Sequence, residues 1–436
     1  MTAKRLLFWS VAFTVTNSLV KGANAAVVVI LAMVLPPASF ANFGMLYAMQ
    51  SAMGTFAASG LGEITAGRLA LYSPGVRRRV LFKRVAGFFI VTASLALILI
   101  GIPAFLIASS KGIATPAIFA ILLGAVVAFG TLQAGFQRVE ERHGPSLLSS
   151  AGVPLASIVG LMLGVWWAKS LEAVFGFALV GAGFTLFFLL ISGQSYTGPI
   201  PRTRHVRRDV LAILPFAIMG IFGWLSGYGM NLVIDGRFDS IDVARYTFLF
   251  TVSSIAQMVA SSMNMVWAPR FYHLFNEGKR VEAERQNRNF FAILALVLGA
   301  TSALVVALLP WLTYVVGGNL VFYGNFRFEL ALLFLGYIVC IPWWHGQNYY
   351  FVSNRGHSLM RLAVWSGIAG LFAWIACMLF FGSIGIFLGF PIQIAMKSFA
   401  VWLGARKQWG AKPPWLIIIL AGILIFSGMA FPQPGK

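Results

Sequence analysis

Thirteen apolar runs, nearly all of membrane-crossing length, follow one another along this chain with short basic segments between them. A bilayer core of about 30 Å takes about 20 apolar residues of helix. Within that core every backbone N–H and C=O must find its partner inside the protein. Such a chain can fold only as a set of membrane helices. The runs fall at roughly 8–35, 43–66, 85–108, 115–137, 146–168, 172–192, 210–234, 243–268, 289–316, 327–352, 361–381, 384–405 and 415–431. Only 10% of the 436 residues are charged, against about 25% in soluble domains. That balance excludes a soluble enzyme, a disordered chain and a secreted disulfide scaffold. Cys340 and Cys377, the only cysteines, both sit in apolar runs and build no disulfide framework or cysteine zinc site. The fold class is an all-α polytopic membrane protein.

The net charge of +20 would suit a nucleic-acid binder if it were spread over one face. Here the bases lie between the runs. With the N-terminus cytoplasmic, inner segments hold 24 of the 32 Lys and Arg residues, outer segments hold 6, and Lys21 and Lys397 lie within spans. This is the positive-inside pattern; nucleic acid is not a partner. The start resembles a signal peptide, with Lys4 and Arg5 before an apolar run and Ala23-Asn24-Ala25 as a cleavage site. The apolar run resumes at Ala26 and reaches Leu35, so it reads as an uncleaved first span.

Outer loops are too short to fold as domains; the most polar is Asp235 to Asp242. Segment 193–209, with Pro199, Pro201 and a basic cluster, reads as a linker. Segment 269–288, with Glu277, Glu282 and Glu284 among its bases, reads as a cytoplasmic helix extension. The linker divides the chain into an N-terminal six-helix lobe (1–195), a cytoplasmic basic linker (196–209), a C-terminal six-helix lobe (210–405), and a cytoplasmic link with an extra C-terminal helix (406–436). Segments 40–72 and 243–275 align at an offset of 203, pairing Phe43 with Tyr246, Leu46 with Leu249, Ser51 with Ser254, Ala57 with Ala260 and Ser59 with Ser262. Internal repeats with the substrate path between them build many transporters.

Polar side chains inside a span face protein or water. In the first span Ser10, Thr14, Asn17, Lys21 and Asn24 form one helical stripe. The eighth carries Ser254, Gln257, Ser261 and Asn264, and the second places Tyr47, Gln50 and Gly54 on one face. Stripes of Ser and Thr serve mainly to bond helices together; a stripe containing Lys asks for water or an anion. Lys397 lies one turn after Gln393, near a span end where snorkelling also serves. His345 suits a proton relay or a satisfied core histidine, and Glu63 with Arg68 a mouth-lining or interfacial pair. The candidate substrate-contacting residues are therefore Asn17, Lys21, Asn24, Gln50, Gln257, Asn264 and Lys397. Those for coupling or gating are Glu63, Arg68 and His345. There is no HExxH, G-x-S-x-G or Walker sequence. The chain reads as a transporter rather than an enzyme, with no cofactor or metal, driven by the proton motive force or membrane potential.

The stretch Leu35-Pro36-Pro37-Ala38-Ser39-Phe40-Ala41-Asn42-Phe43-Gly44-Met45-Leu46-Tyr47, continued by Gly60-Leu61-Gly62-Glu63 and Arg68, resembles the first inter-helix turn of polysaccharide exporters. These are the Wzx-type lipid-linked oligosaccharide flippases of the multidrug/oligosaccharidyl-lipid/polysaccharide superfamily. The resemblance implies two six-helix bundles around a central cavity, lined mainly by the first two helices of each. It also implies alternating access and flipping of an undecaprenyl-diphosphate-linked oligosaccharide across the bacterial inner membrane, for surface polysaccharide or O-antigen (lipopolysaccharide) synthesis. Membrane lipids and glycan polymerase and ligase proteins would be its further partners. A run at 415–431 departs from the usual twelve spans. A multidrug/cation antiporter of the same superfamily is the second reading, although organic cations would favour carboxylates deep in the spans. A membrane-embedded polysaccharide polymerase or ligase is the third, and lacks the large outer loop.

The charge count predicts the topology. In intact cells a single cysteine replacing Asp239 should label from outside, and one replacing Arg204 only after permeabilisation. The reverse pattern would overturn the orientation.

Overall fold

The computed structural model describes residues 3–58, 61, 76–140, 142–193, 195–200, 210, 214, 217–353 and 355–434. Among them the fold is all helical, without strands. Eight helices are long and apolar enough to cross a membrane, and two shorter apolar helices cover Leu19–Val34 and Trp415–Ala430. This is a multi-pass membrane protein.

In the first half, α1 (Ala3–Val34) turns at Pro36 into α2 (Pro37–Ala58). Next come α3 (Val76–Ala96), α4 (Ile102–Ser110), α5 (Ala114–Val139), α6 (His143–Leu147), α7 (Val153–Ala168) and α8 (Leu171–Ile191). α3 runs into α4 through a π turn at Leu97–Gly101, and α6 into α7 through another at Leu148–Gly152. Each π turn immediately precedes a helix with proline in its first turn, Pro103 and Pro154. Proline has no N–H for residue i−4 and its ring collides with that carbonyl. A wider local turn absorbs the clash without ending the span.

In the second half, α9 (Met230–Asp235) leads to α10 (Ser240–Asn276), α11 (Arg280–Val316), α12 (Arg327–Val339), α13 (Ile341–Val352), α14 (Gly356–Trp409) and α15 (Trp415–Ser427). α14 contains two expected spans. They separate at Gly382, whose φ of 59° and ψ of −136° fall in a region open essentially to glycine alone. The reversal is tight: a side chain at Gly385 would strike the Cys377 backbone, and one at Gly389 the Trp374 ring. α10 and α11 have 37 residues each, about 55 Å at 1.5 Å per residue. They extend beyond a 30 Å core, as expected for 269–288. Among the described residues the expected spans coincide with helix, the seventh with helical turns at 217–225 and α9; the end of the second, 62–66, lies outside the described residues.

The chain packs as two compact units, Met1–Val233 and Ile234–Lys436. The boundary lies past the basic linker because the seventh span bonds to the first unit. Trp224 donates its indole N–H to the Ala48 carbonyl at 3.0 Å, and Asn231 its amide to the Gly44 carbonyl at 3.0 Å. The repeat has a packing counterpart within each unit. Phe43 is fully buried, stacked on Tyr47 at 5.8 Å and on Phe175 of the sixth span. Tyr246 is fully buried, stacked on Phe250 at 5.3 Å and against Phe387 of the twelfth.

The start of the linker is strapped to the first unit. Gln133 donates its amide to the Tyr196 carbonyl at 2.8 Å and accepts from the Tyr196 N–H at 2.8 Å. The Tyr196 ring packs against Phe82 and Phe136, and its hydroxyl donates to Glu140. Burial raises the Tyr196 pKa, and the bond to Glu140 acts the same way, so the hydroxyl keeps its proton. Gly87 and Gly198 let the strap touch the α3 backbone; a side chain on either would strike Pro199 or Lys83. Residues 201–209 lie outside the described residues. Gln133→Leu keeps the volume but strands both Tyr196 backbone groups, at about 1–3 kcal/mol each. It should lower the melting temperature in detergent by several degrees, with Gln133→Glu intermediate because its carboxylate still accepts one bond.

Candidate functional site

The described sequence-expected residues fall in both units. In the first unit the 35–36 turn folds α2 back along α1. Asn24, half-buried, donates its amide to the Tyr47 hydroxyl at 2.6 Å. Tyr228 meets the Tyr47 ring edge-on at 4.7 Å. Trp224, against Phe56, also donates to Ser51 Oγ at 3.1 Å. Gln50 is half-buried, and its Oε1 has no hydrogen-bond partner among the described residues. Lys21 stands one turn before Asn24 with its side chain exposed and without an ion-pair partner among the described residues. From Lys21 to the end of α1 at Val34 is 13 residues, about 20 Å of helix. An ammonium at that depth facing lipid costs about 2.5–3.5 kcal/mol even on insertion scales, which favours a watery surface. Asn17 lies on the α1 backbone, but its side chain is outside the described residues, as are Glu63 and Arg68 entirely.

This surface combines a cation, amides and aromatic rings. Lysine binds phosphate as a point charge. Amides exchange hydrogen bonds with hydroxyls, and the rings offer apolar faces beside polar tips.

In the second unit, Gln257 is exposed on α10 and Asn264, seven residues on, is half-buried. Asn264 accepts a bond of 3.2 Å from the amide of buried Asn348 on α13. Lys397 is half-buried with its ammonium 4.1 Å from the centroid of the Trp343 ring. A cation–π contact of this kind contributes about 0.5–2 kcal/mol. His345 is fully buried between the rings of Phe291 and Tyr349, at 5.5 and 5.8 Å.

Sequence reasoning passed over Trp224, Tyr228 and Asn348, which look like ordinary span residues until their partners are known. It also passed over an ion cluster in the second unit. Arg245 reaches Asp242 at 2.8 Å and Glu329 at 2.7 Å. Ser383, beside Gly382, donates to Asp242 at 2.6 Å, and the guanidinium lies 4.0 Å from the Phe326 ring centroid. The cluster ties α10 to α12 and to the α14 turn. The Asp242–Arg245 spacing of three was the one signal available.

The model for polysaccharide biosynthesis proteins matches residues 9–275, more than half of the chain. The chain belongs to the polysaccharide biosynthesis protein family. No curated protein sequence matches this family member. Among solved structures it is similar to a multidrug resistance MATE family transporter of the MOP superfamily in an inward-facing conformation, at 13% identity and TM-score 0.71, covering 90% of this chain and 95% of that one. It is also similar to the lipid II flippase MurJ in an inward closed conformation, at 13% identity and TM-score 0.65, covering 97% and 98%. A Vibrio cholerae MATE transporter matches at 12% identity and TM-score 0.56, covering 92% and 95%. At these identities the likeness is one of fold.

The ion cluster yields a stability prediction for this polysaccharide biosynthesis protein. Arg245→Ala leaves two carboxylates without their cation in a site where each is only 13% exposed. Removing one member of a buried pair costs about 3–5 kcal/mol. Membrane abundance should fall sharply, and Arg245→Lys, which keeps charge but not the two-armed geometry, should recover part of it.

Proposed function

We propose that this protein is a flippase. It moves a polyprenyl-diphosphate-linked oligosaccharide, such as an undecaprenyl-diphosphate carrier with its sugars, across a bacterial cytoplasmic membrane for surface polysaccharide synthesis. It does so without ATP. Family membership supports the polysaccharide context, and the carrying observation is the Lys21 surface. An exposed ammonium lies deep along α1, one turn before Asn24, whose amide bonds Tyr47, itself against the Tyr228 ring. A diphosphate followed by sugars presents anionic oxygens, then hydroxyls and ring faces, the groups that a cation, amides and aromatic rings can receive. In this reading Asn17 and Gln50 in the first unit, and Gln257, Asn264 and Lys397 in the second, supply further polar contacts to the cargo. The protein performs no covalent chemistry on its cargo. Glycan polymerase and ligase proteins act on it afterwards.

Lys21 tests the reading. Lys21→Ala should insert normally, since removing a costly charge does not threaten the helix, yet glycan export should drop at least tenfold, about 1.4 kcal/mol of lost binding. Lys21→Arg should keep part of the activity and Lys21→Glu should abolish it by repelling the anion. Membrane abundance and surface glycan are measured together. Normal export by Lys21→Ala at normal abundance would end the proposal. Loss of abundance in step with export would make Lys21 a structural tether.

A further inference from the structure

In the second unit α11 and α15 touch where small residues meet. A side chain at Gly299 on α11 would strike Ala421 on α15, and one at Gly428 would strike the Ala303 carbonyl. Toward the starts of their apolar stretches a cavity of about 390 Å³ separates the same two segments. It is lined by Arg288, Asn289 and Ala292 of α11 and by residues 413–417 at the start of α15. Its volume falls in the usual range of ligand sites, about 300–1,000 Å³. Both walls change from charged to uncharged chain at this cavity. Arg288 is the last charged residue before 289–326, and Lys412 the last before 413–435. With the orientation that the charge count predicts, the cavity opens at the cytoplasmic edge of the hydrocarbon core.

We propose that this cavity binds the phosphodiester head group of an anionic phospholipid from the cytoplasmic leaflet. Basic pockets between membrane helices on that side are suited to such head groups. Arg288 is exposed and makes no ion pair among the described residues, so its fork of N–H donors is open to phosphate oxygens. Asn289 beside it is exposed and adds an amide donor. The carboxylate that acts on Arg288 is Glu284, one turn earlier. Its Oε1 accepts the Lys412 backbone N–H at 2.8 Å, which commits that oxygen to the loop before α15. Trp415 meets the Trp402 ring edge-on at 4.9 Å, and the Arg406 guanidinium lies 5.5 Å from the Trp402 ring centroid. Tryptophan with arginine is the pairing that membrane interfaces select.

The apolar part of the ligand has a place as well. Leu296, one turn beyond Ala292, and Leu420, one turn beyond Leu416, are both exposed and lie along the course of an acyl chain leaving the cavity toward the bilayer centre. A free phosphate would make no use of them. One guanidinium balances the single charge of a phosphodiester, whereas a diphosphate would bring charge that the lining does not meet. The phospholipid therefore ties the start of α15 to α11 on the cytoplasmic side of the Gly299–Ala421 contact. The inference goes beyond the flippase reading and does not depend on it: the site shares no residue with the Lys21 surface.

The test uses full-length protein in a mild detergent, with native mass spectrometry counting bound lipid. Phosphatidylglycerol and phosphatidylcholine with identical acyl chains are compared. Wild type should bind phosphatidylglycerol about fivefold more tightly, the preference that one basic residue confers at an anionic head group. Arg288→Gln should erase that preference, and Arg288→Lys should keep part of it. Arg285→Gln, an exposed basic neighbour outside the cavity, should leave it unchanged. Equal binding of the two lipids by wild type overturns the proposal. So does an equal loss in Arg285→Gln, which would mark diffuse surface charge rather than a site. Inorganic phosphate that displaces phosphatidylglycerol at matched concentration would make this a site for a free anion, and a polyprenyl diphosphate that displaces it at a lower concentration would make it a carrier site; either result overturns the phospholipid assignment. If Arg288→Gln is recovered too poorly to measure, photoactivatable phosphatidylglycerol on wild type decides. Cross-links within 288–296 and 413–420 support the site, and cross-links confined to other segments overturn it.

Discussion

In hydrocarbon a polar group has only the protein to turn to, and this governs the structure from backbone to site. The backbone complies by becoming helix nearly everywhere. Where proline removes a donor, at Pro103 and Pro154, a π turn accommodates the ring and the span continues. Where the chain must reverse inside an apolar stretch, Gly382 takes a conformation that a side chain would forbid. Polar side chains obey the same rule. Gln133 uses both ends of its amide on one residue of the strap, and Asn231 and Trp224 bind carbonyls of the buried α2 residues Gly44 and Ala48.

Charged groups show three ways of meeting that rule. Arg245 is neutralised by two carboxylates and an aromatic face, which makes it a fastener. Lys397 rests on the Trp343 ring, a partial compensation that leaves its donors available. Lys21 is exposed without an ion-pair partner among the described residues, and in the proposed reading it is the cation that meets the anionic cargo. The same ordering separates structural from functional roles: the more completely a charge is satisfied by the fold, the less it offers a substrate.

The repeat explains why polar groups concentrate where they do. Phe43 with Tyr47 and Tyr246 with Phe250 occupy equivalent positions and make equivalent stacks, each against the last helix of its own six. That packing fixes the rotation of α2 and α10. Gln50 continues the Tyr47 face one turn on, and Gln257 lies two turns beyond Phe250. A duplicated packing solution thus places a polar face at the same helix in each half while the side chains on it diverge.

The sequence alone determined the all-helical membrane class, because bilayer thickness and the backbone's need for internal partners leave little choice. It singled out Lys21, since a cation so far along an apolar helix conflicts with its surroundings wherever the neighbours lie. Tertiary structure decided the partners. Asn24 finds Tyr47 across a turn, but Gln133 finds Tyr196 63 residues away and Arg245 finds Glu329 84 residues away. Nothing local encodes such pairings. Glu284 is the clearest case. By composition it belongs to a solvated, basic helix end, and only the packing of α11 on α13 brings its carboxylate to His345. Hydropathy reports how a residue meets lipid or water; which polar atom faces which depends on helix rotation and depth, and those are set by side-chain packing over the whole unit.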